Sequence, residues 1–163
     1  VIHRQGKLFP PEKDGIVQAL NVVAEKGLIA KDHRCTFLEI RTTSRVPFRL
    51  FNVTTLSGTQ KEMIYNPIIG TYVLLSEYDS FVCNTGPPYE HEGTTKPLHV
   101  VKVEGPHALE YLIEDVFYLS NLTWTKIDDC SRQPLSIKMT DIRLREFAGE
   151  YDRYALRFAE EET

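Results

Sequence analysis

The side chains best suited to chemistry lie in three short segments of the chain. The first segment, residues 3–6, reads His-Arg-Gln-Gly and follows an apolar opening. In α/β proteins, functional groups often stand just beyond the carboxyl end of a strand. Gln5 offers a neutral carbonyl oxygen, a weak ligand for Mg²⁺ because it brings no charge to offset the cation. The residues alone leave two interpretations open, a polar turn and a degenerate metal ligand.

The second segment, residues 90–98, is a polar loop that runs into a β-rich pattern. Lys96 supplies a positive charge, and the hydroxyls of Thr94 and Thr95 supply short-range donors, a combination that suits a phosphate backbone. A solvated surface loop explains the same residues equally well. Both interpretations stay open at this point.

The third segment, residues 140–146, places Asp141 and Arg145 four residues apart, on one face of a helix. One interpretation is an intrahelical ion pair, and the other is an acid and a base gathered at a metal or phosphate site. A basic cluster elsewhere, formed by Arg41, Arg45 and Arg49, is typical of an exposed face.

Other familiar sites are missing from the sequence. It contains no glycine-rich phosphate loop, no nucleophile elbow and no pair of histidines at metal-ligand spacing. The three cysteines are widely separated and odd in number, so we expect reduced, structural thiols rather than disulfides or a zinc site; they are Cys35, Cys83 and Cys130.

The elements that must position the three segments alternate between strand and helix in the first quarter of the chain. An apolar opening at residues 1–4 predicts a strand, and a helical spacing of apolar residues from Ile16 to Ala24 predicts a helix. Pro11 fits the first turn of that helix and Gly27 the position just past its end. Residues 35–41 predict a second strand, parallel to the first.

The rest of the chain predicts short strands and then two more helices. Between residues 46 and 104, β-rich runs alternate with turn residues, which indicates hairpins. A helix should run from Ala108 to about Leu119, and a further helix should begin with Thr140 as its N-cap and Asp141 in its first turn. One α/β domain over residues 1–163 is the expected organisation.

Length and composition bound the class of protein. The chain has 163 residues, of which 42% are apolar and 26% charged, as in one globular domain. No apolar run approaches the roughly 20 residues that cross a bilayer, so we expect a cytoplasmic protein without membrane contact. The net charge of −4 argues against binding nucleic acid through bulk electrostatics. Any such contact must be local.

Taken together, the segments resemble the PIWI domain of prokaryotic Argonaute proteins. Residues 1–6 resemble that family's apolar strand followed by Arg-Asp-Gly, and residues 93–98 (Gly-Thr-Thr-Lys-Pro-Leu) are similar to its Gly-Thr-x-Lys/Arg-Pro motif. Residues 119–124 look like its helix-to-aromatic junction. Residues 134–137, followed by Thr140-Asp141, resemble its closing motif. The resemblance extends from Val1 to about Tyr151.

The resemblance implies an RNase H-like fold, a mixed sheet flanked by helices, of which this chain is the C-terminal part with the upstream half of the domain missing. In that family, carboxylates hold two Mg²⁺ ions that cut a target strand paired to a guide. Asp141 matches the last catalytic position. Gln5 stands where active members have aspartate, so we expect no cleavage and no catalytic residue among these degenerate positions.

The resemblance also implies binding of a guide strand. Arg145 matches the basic residue of the last helix that contacts the guide's 5′ phosphate. A terminal carboxylate shares that role with a metal ion, which would involve Thr163 and Mg²⁺ if Thr163 is the native terminus. Arg4, Thr94 and Lys96 are expected near the nucleic-acid backbone.

The function expected from the resemblance is guide-directed nucleic-acid binding by a cleavage-deficient Argonaute, in defence against foreign DNA. Its partners would be a guide of RNA or DNA, the complementary target, the rest of the Argonaute chain and an effector protein. Two alternatives stay open. The first is an active metal-dependent endonuclease in which upstream acids compensate for Gln5, and the second is an RNase H-like scaffold for protein contacts.

Overall fold

Seven strands and three helices are formed within the residues that the computed structural model describes, which are 1–42, 48–55, 58, 61–85, 95–122 and 132–148. In chain order these elements are β1 (Ile2–Gln5), α1 (Pro10–Glu25), β2 (Phe37–Arg41), β3 (Asn52–Thr55), β4 (Glu62–Tyr65), β5 (Tyr72–Leu74), β6 (Asp79–Val82), β7 (Leu98–Glu104), α2 (Leu109–Asn121) and α3 (Leu135–Phe147).

Five of the strands form one mixed sheet in the order β1-β2-β7-β6-β5. β1 and β2 are parallel, while β2 with β7, β7 with β6, and β6 with β5 are antiparallel. The predicted α/β class, a mixed sheet flanked by helices with its first two strands parallel, is therefore confirmed. β3 and β4 pair with each other in a separate antiparallel hairpin.

The hydrophobic core lies between one face of the sheet and two helices. Alternate residues of the three central strands point to this face, since side chains alternate along a strand. They pack against α2 and α3 in a cluster formed by Leu38, Ile40, Val82, Leu98, Val100, Leu109, Leu112, Ile113, Val116 and Ile137. The register places charged and aromatic side chains, including Glu39, Arg41 and His99, on the opposite face.

The ends of α1 agree with the sequence prediction. Pro10 and Pro11 occupy its first positions, and the carboxylate of Glu12 accepts a hydrogen bond from the Phe9 amide at 3.0 Å. Beyond the helix, Gly27 adopts a φ of 71°, which glycine reaches without strain. Ala24 alone is buried in α1, so this helix contributes little to the core.

The third helix begins earlier than predicted. α3 starts at Leu135 with Pro134 as its N-cap, so the expectation that Thr140 caps the helix and Asp141 lies in its first turn is wrong. Thr140 lies in mid-helix, where its hydroxyl donates to the Ser136 carbonyl at 2.8 Å. Pro134 cannot donate an N–H to a preceding turn, which suits a helix boundary. No helix in the described part of the chain is long and apolar enough to cross a membrane.

Candidate functional site

Four elements bring polar side chains to one edge of the sheet. The carboxyl ends of β1, β2 and β6 lie beside the start of β7. The register shows this, because Gln5 pairs with Ile40, Arg41 with His99, and Val82 with Leu98. The segments that follow or precede these strands meet at this edge. We call it the polar edge, and it carries Gln5, Arg41, Asn84 and Lys96.

The loop after β1 is held by ionic and backbone contacts. Arg4 forms an ion pair with Glu12 at 3.1 Å and also donates to the carbonyl oxygen of Gln5. Gly6 donates its amide to Ile40 at 2.9 Å with a φ of 78°, which favours glycine. The Arg4 guanidinium is thus engaged in closing the loop on α1. Its predicted contact with nucleic acid stays a prediction.

α3 meets β1 through a hydrogen bond between side chains. His3 Nδ1 lies 2.7 Å from the Ser136 hydroxyl. Burial lowers the pKa of His3 below its usual 6.5, and the nearby Asp115 carboxylate opposes this shift. A pocket of about 430 Å³ adjoins this contact. It is lined by Val1, His3, Asp115, Tyr118, Leu119, Leu122, Ser136 and Thr140.

Asp141 and Arg145 form the intrahelical ion pair that their spacing predicts. Arg145 Nη2 lies 2.9 Å from Asp141 Oδ2, and both side chains are over 40% exposed. At this exposure an i, i+4 pair stabilises the helix by only about 0.3–0.5 kcal/mol. The pair therefore does not prevent Arg145 from contacting a phosphate. It does offset the charge of Asp141.

The predicted phosphate-contacting loop is described only at its end. Lys96 is exposed, whereas Thr95 is buried and its amide donates to Asn66 Oδ1 at 3.2 Å. Thr94 lies outside the described residues, as do Arg45 and Thr163. Lys96 is the residue of this loop that the structure places at the polar edge with an accessible charge.

Arg132 adds a cation that the sequence analysis missed. Its guanidinium donates to the carbonyl of Thr42, the residue after β2. Burial lowers the pKa of Arg132, and the positive charge of Arg49 lowers it further. Arg41 lies at the same edge and pairs with the buried Glu39. The polar edge therefore carries the positive charges of Lys96 and Arg132, while Glu39 offsets the charge of Arg41.

Buried polar atoms without partners also gather around the polar edge. Within the described part of the chain, four such atoms have no hydrogen-bond partner: Asn84 Oδ1, Thr95 Oγ1, His99 Nδ1 and Arg132 Nε. Asn84 follows β6, while Thr95 and His99 flank the start of β7. Buried polar groups are almost always hydrogen-bonded, and each exception calls for an explanation such as a catalytic role, an ordered water or a bound ion.

The two predicted catalytic positions in this chain supply one carboxylate and one neutral amide. Gln5 is neutral, and the charge of Asp141 is offset by Arg145. Among the described residues, no three His, Cys, Asp or Glu side chains converge as a metal site. Two-metal chemistry depends on anionic ligands around both ions, and these positions supply only one carboxylate.

Comparison with solved structures shows a shared fold. A structure of Clostridium butyricum Argonaute bound to a guide DNA and a 19-mer target DNA matches 82% of this chain with a TM-score of 0.57 and 21% identity. A structure of Aquifex aeolicus Argonaute matches 81% with a TM-score of 0.52 and 20% identity. The chain spans only 15% and 16% of those proteins.

No family sequence model matches the chain, and no curated protein sequence does. The similarity to these structures therefore lies in the arrangement of strands and helices. The sequence motifs described above resemble the same group of proteins. About four-fifths of the chain therefore shares its fold with one segment of each of these two Argonautes.

Proposed function

We propose that this chain is the C-terminal part of the PIWI domain of a cleavage-deficient prokaryotic Argonaute and binds a guide strand and its target. The observation that carries the proposal is the polar edge, where the exposed Lys96 precedes β7 and Arg132 reaches the end of β2. Local positive charge of this kind binds phosphate backbones even when the net charge is negative. The fold shared with a guide-bound Argonaute supports it.

The proposal includes a second contact at α3. Arg145 is accessible on that helix, and we assign it the 5′ phosphate of the guide. A Mg²⁺ ion and the carboxylate of Thr163 would complete that pocket if Thr163 is the native terminus. Arg4 and Thr94 remain proposed backbone contacts.

Loss of cleavage is proposed from the chemistry of Gln5. A neutral amide cannot replace a carboxylate that neutralises two metal ions. Defence against foreign DNA, with an effector protein recruited by the guide-bound complex, would then be the biological role. A longer protein that cuts a guide-paired target in Mg²⁺ or Mn²⁺ would overturn this part of the proposal.

A further part of the proposal concerns the sheet. β1 is an edge strand in the described residues, and we propose that a strand from the rest of a longer Argonaute chain pairs with it. The pocket beside His3, lined by Tyr118 of α2 and by its C-cap Leu122, would receive side chains of that strand. This placement supports the expectation that part of the domain lies upstream.

The test of the proposed function is the salt dependence of nucleic-acid binding, measured by fluorescence anisotropy with a short 5′-phosphorylated strand. Lys96→Ala and Arg132→Ala should each lower affinity by roughly threefold to tenfold and reduce the slope of log K against log salt by about 0.7, one phosphate contact on a single strand. Lys31→Ala is the matched control, because Lys31 is an exposed lysine that precedes β2 at the opposite edge.

The role of Arg145 needs a separate comparison. Arg145→Ala should weaken binding of the 5′-phosphorylated strand and leave the affinity of the same strand without the phosphate nearly unchanged. An affinity that does not depend on the 5′ phosphate counts against this assignment. Binding that is absent, or that does not change with salt, favours the protein-scaffold alternative.

A further inference from the structure

A buried amide joins three elements behind the polar edge. Asn84 follows β6 and is 1% exposed. Its Nδ2 donates to the Ser120 hydroxyl of α2 at 2.8 Å and to the backbone carbonyl of Arg132 at 3.0 Å. Ser120 in turn donates to the carbonyl of Val116 at 2.7 Å. The end of β6, the last turn of α2 and the segment that enters α3 are thus joined through one side chain.

Arg132 is held from both ends by this arrangement. Asn84 holds its backbone carbonyl, and the Thr42 carbonyl accepts from its guanidinium. The Nε of that guanidinium has no partner among the described residues. Arg132 is thus anchored at its backbone carbonyl and at one nitrogen of its guanidinium.

We propose that Asn84 is a positioning residue that fixes Arg132 for contact with a phosphate of the bound strand. The inference rests on the proposed function and adds a residue to it. The Asn84 amide donates directly to the Arg132 carbonyl. Loss of the amide therefore removes a restraint on the position of Arg132 as well as a hydrogen bond within the fold.

The test compares Asn84→Ala with Arg132→Ala in the salt-dependence assay on the 163-residue chain. Asn84→Ala should weaken binding of a 5′-phosphorylated 16-mer by roughly threefold to tenfold and reduce the salt slope as Arg132→Ala does. The double variant should bind no more weakly than Arg132→Ala alone, because both changes disable the same contact. Asn84→Leu, which keeps the side-chain volume, repeats the comparison if Asn84→Ala does not fold.

Val116→Ala is the control for lost stability. Val116 is fully buried on α2, one turn before Ser120, so this change destabilises the same region without touching the amide. It should lower the melting temperature and leave the salt slope unchanged. An unchanged slope in Asn84→Ala, or an additive loss in the double variant, overturns the assignment of Asn84. If the unsubstituted chain shows no salt-dependent binding, the proposed function fails first and the role of Asn84 fails with it.

Discussion

At the scale of the residue, burial sets the chemistry of Cys83. This thiol follows β6 and is fully buried, and burial raises its pKa from the usual 9.0 to about 11. The thiolate is the reactive form, so a rise of about two units leaves roughly one hundredfold less of it near neutral pH. Cys35 is only partly buried and precedes β2. The two thiols should therefore differ in reactivity.

We expect iodoacetamide at pH 8 to modify Cys35 while Cys83 stays unmodified in the folded chain. Mass spectrometry of peptides taken over time measures both rates in one sample. In denaturant the two cysteines should react at similar rates, which provides the control. Equal rates in the folded chain would contradict the burial of Cys83. Cys130 lies outside the described residues.

Arg132 shows why part of the site could not be predicted at this scale. Its partners are Thr42, 90 residues away, and Asn84, 48 residues away. No local spacing reports contacts at such separation. Lys96 and Arg145, by contrast, belong to segments whose residue types already suggested phosphate binding. The only sequence signal for Arg132 was a cation two residues before Pro134, the N-cap of α3.

At the scale of the element, the spacing of apolar residues predicted the helix that packs one apolar face against the sheet. α2 was expected from its apolar face, and the structure buries four residues of that face, namely Leu109, Leu112, Ile113 and Val116. α3 buries only Ile137, so the sequence carried little periodic signal there and its start was misplaced. β4 lies within the β-rich region predicted over residues 46–104, but its bounds could not be predicted, because its four residues are mostly exposed and lack a buried alternation.

Two glycines test how the elements are packed. Gly15 lies within α1, and a Cβ added there would meet nothing within 4 Å. Gly105 follows β7 with a φ of 129°, and an added Cβ would lie 2.5 Å from the Cα of Thr36. The same substitution should therefore have opposite effects at these two positions.

We expect Gly15→Ala to stabilise the chain by about 0.5–1 kcal/mol, since alanine loses less conformational entropy in a helix. Gly105→Ala should destabilise it by roughly 1–3 kcal/mol or more, because the backbone of Thr36 cannot yield as a flexible side chain would. Urea denaturation measures both values. A neutral Gly105→Ala would show that β2 and the turn after β7 are less closely packed than the structure has them.

At the scale of the whole molecule, the sheet has an unpaired edge at β1 in the described residues. The amides of Ile2 and Gly6 donate to Thr36 and Ile40 on the β2 side. Backbone groups alternate along a strand, so Arg4 also faces β2, while His3 and Gln5 direct their amides away from it. The exchange rates of these amide hydrogens with solvent measure this alternation.

In the 163-residue chain, the amides of His3 and Gln5 should exchange faster with solvent than that of Arg4. In a longer protein that contains the proposed upstream strand, His3 and Gln5 should become protected, while Arg4 changes little. NMR-detected exchange resolves the three amides. Fast exchange of His3 in the longer protein would contradict the proposed strand pairing without affecting the assignment of the polar edge.

The open edge of β1 also governs the colloidal behaviour of the isolated chain. β1 carries no proline, and proline is one of the devices that discourage strand addition. A net charge of −4 over 163 residues gives only modest repulsion between molecules. Two copies can therefore meet edge to edge, and light scattering should rise with concentration. Gln5→Lys, or a fused β-strand that pairs with β1, should reduce this association during purification.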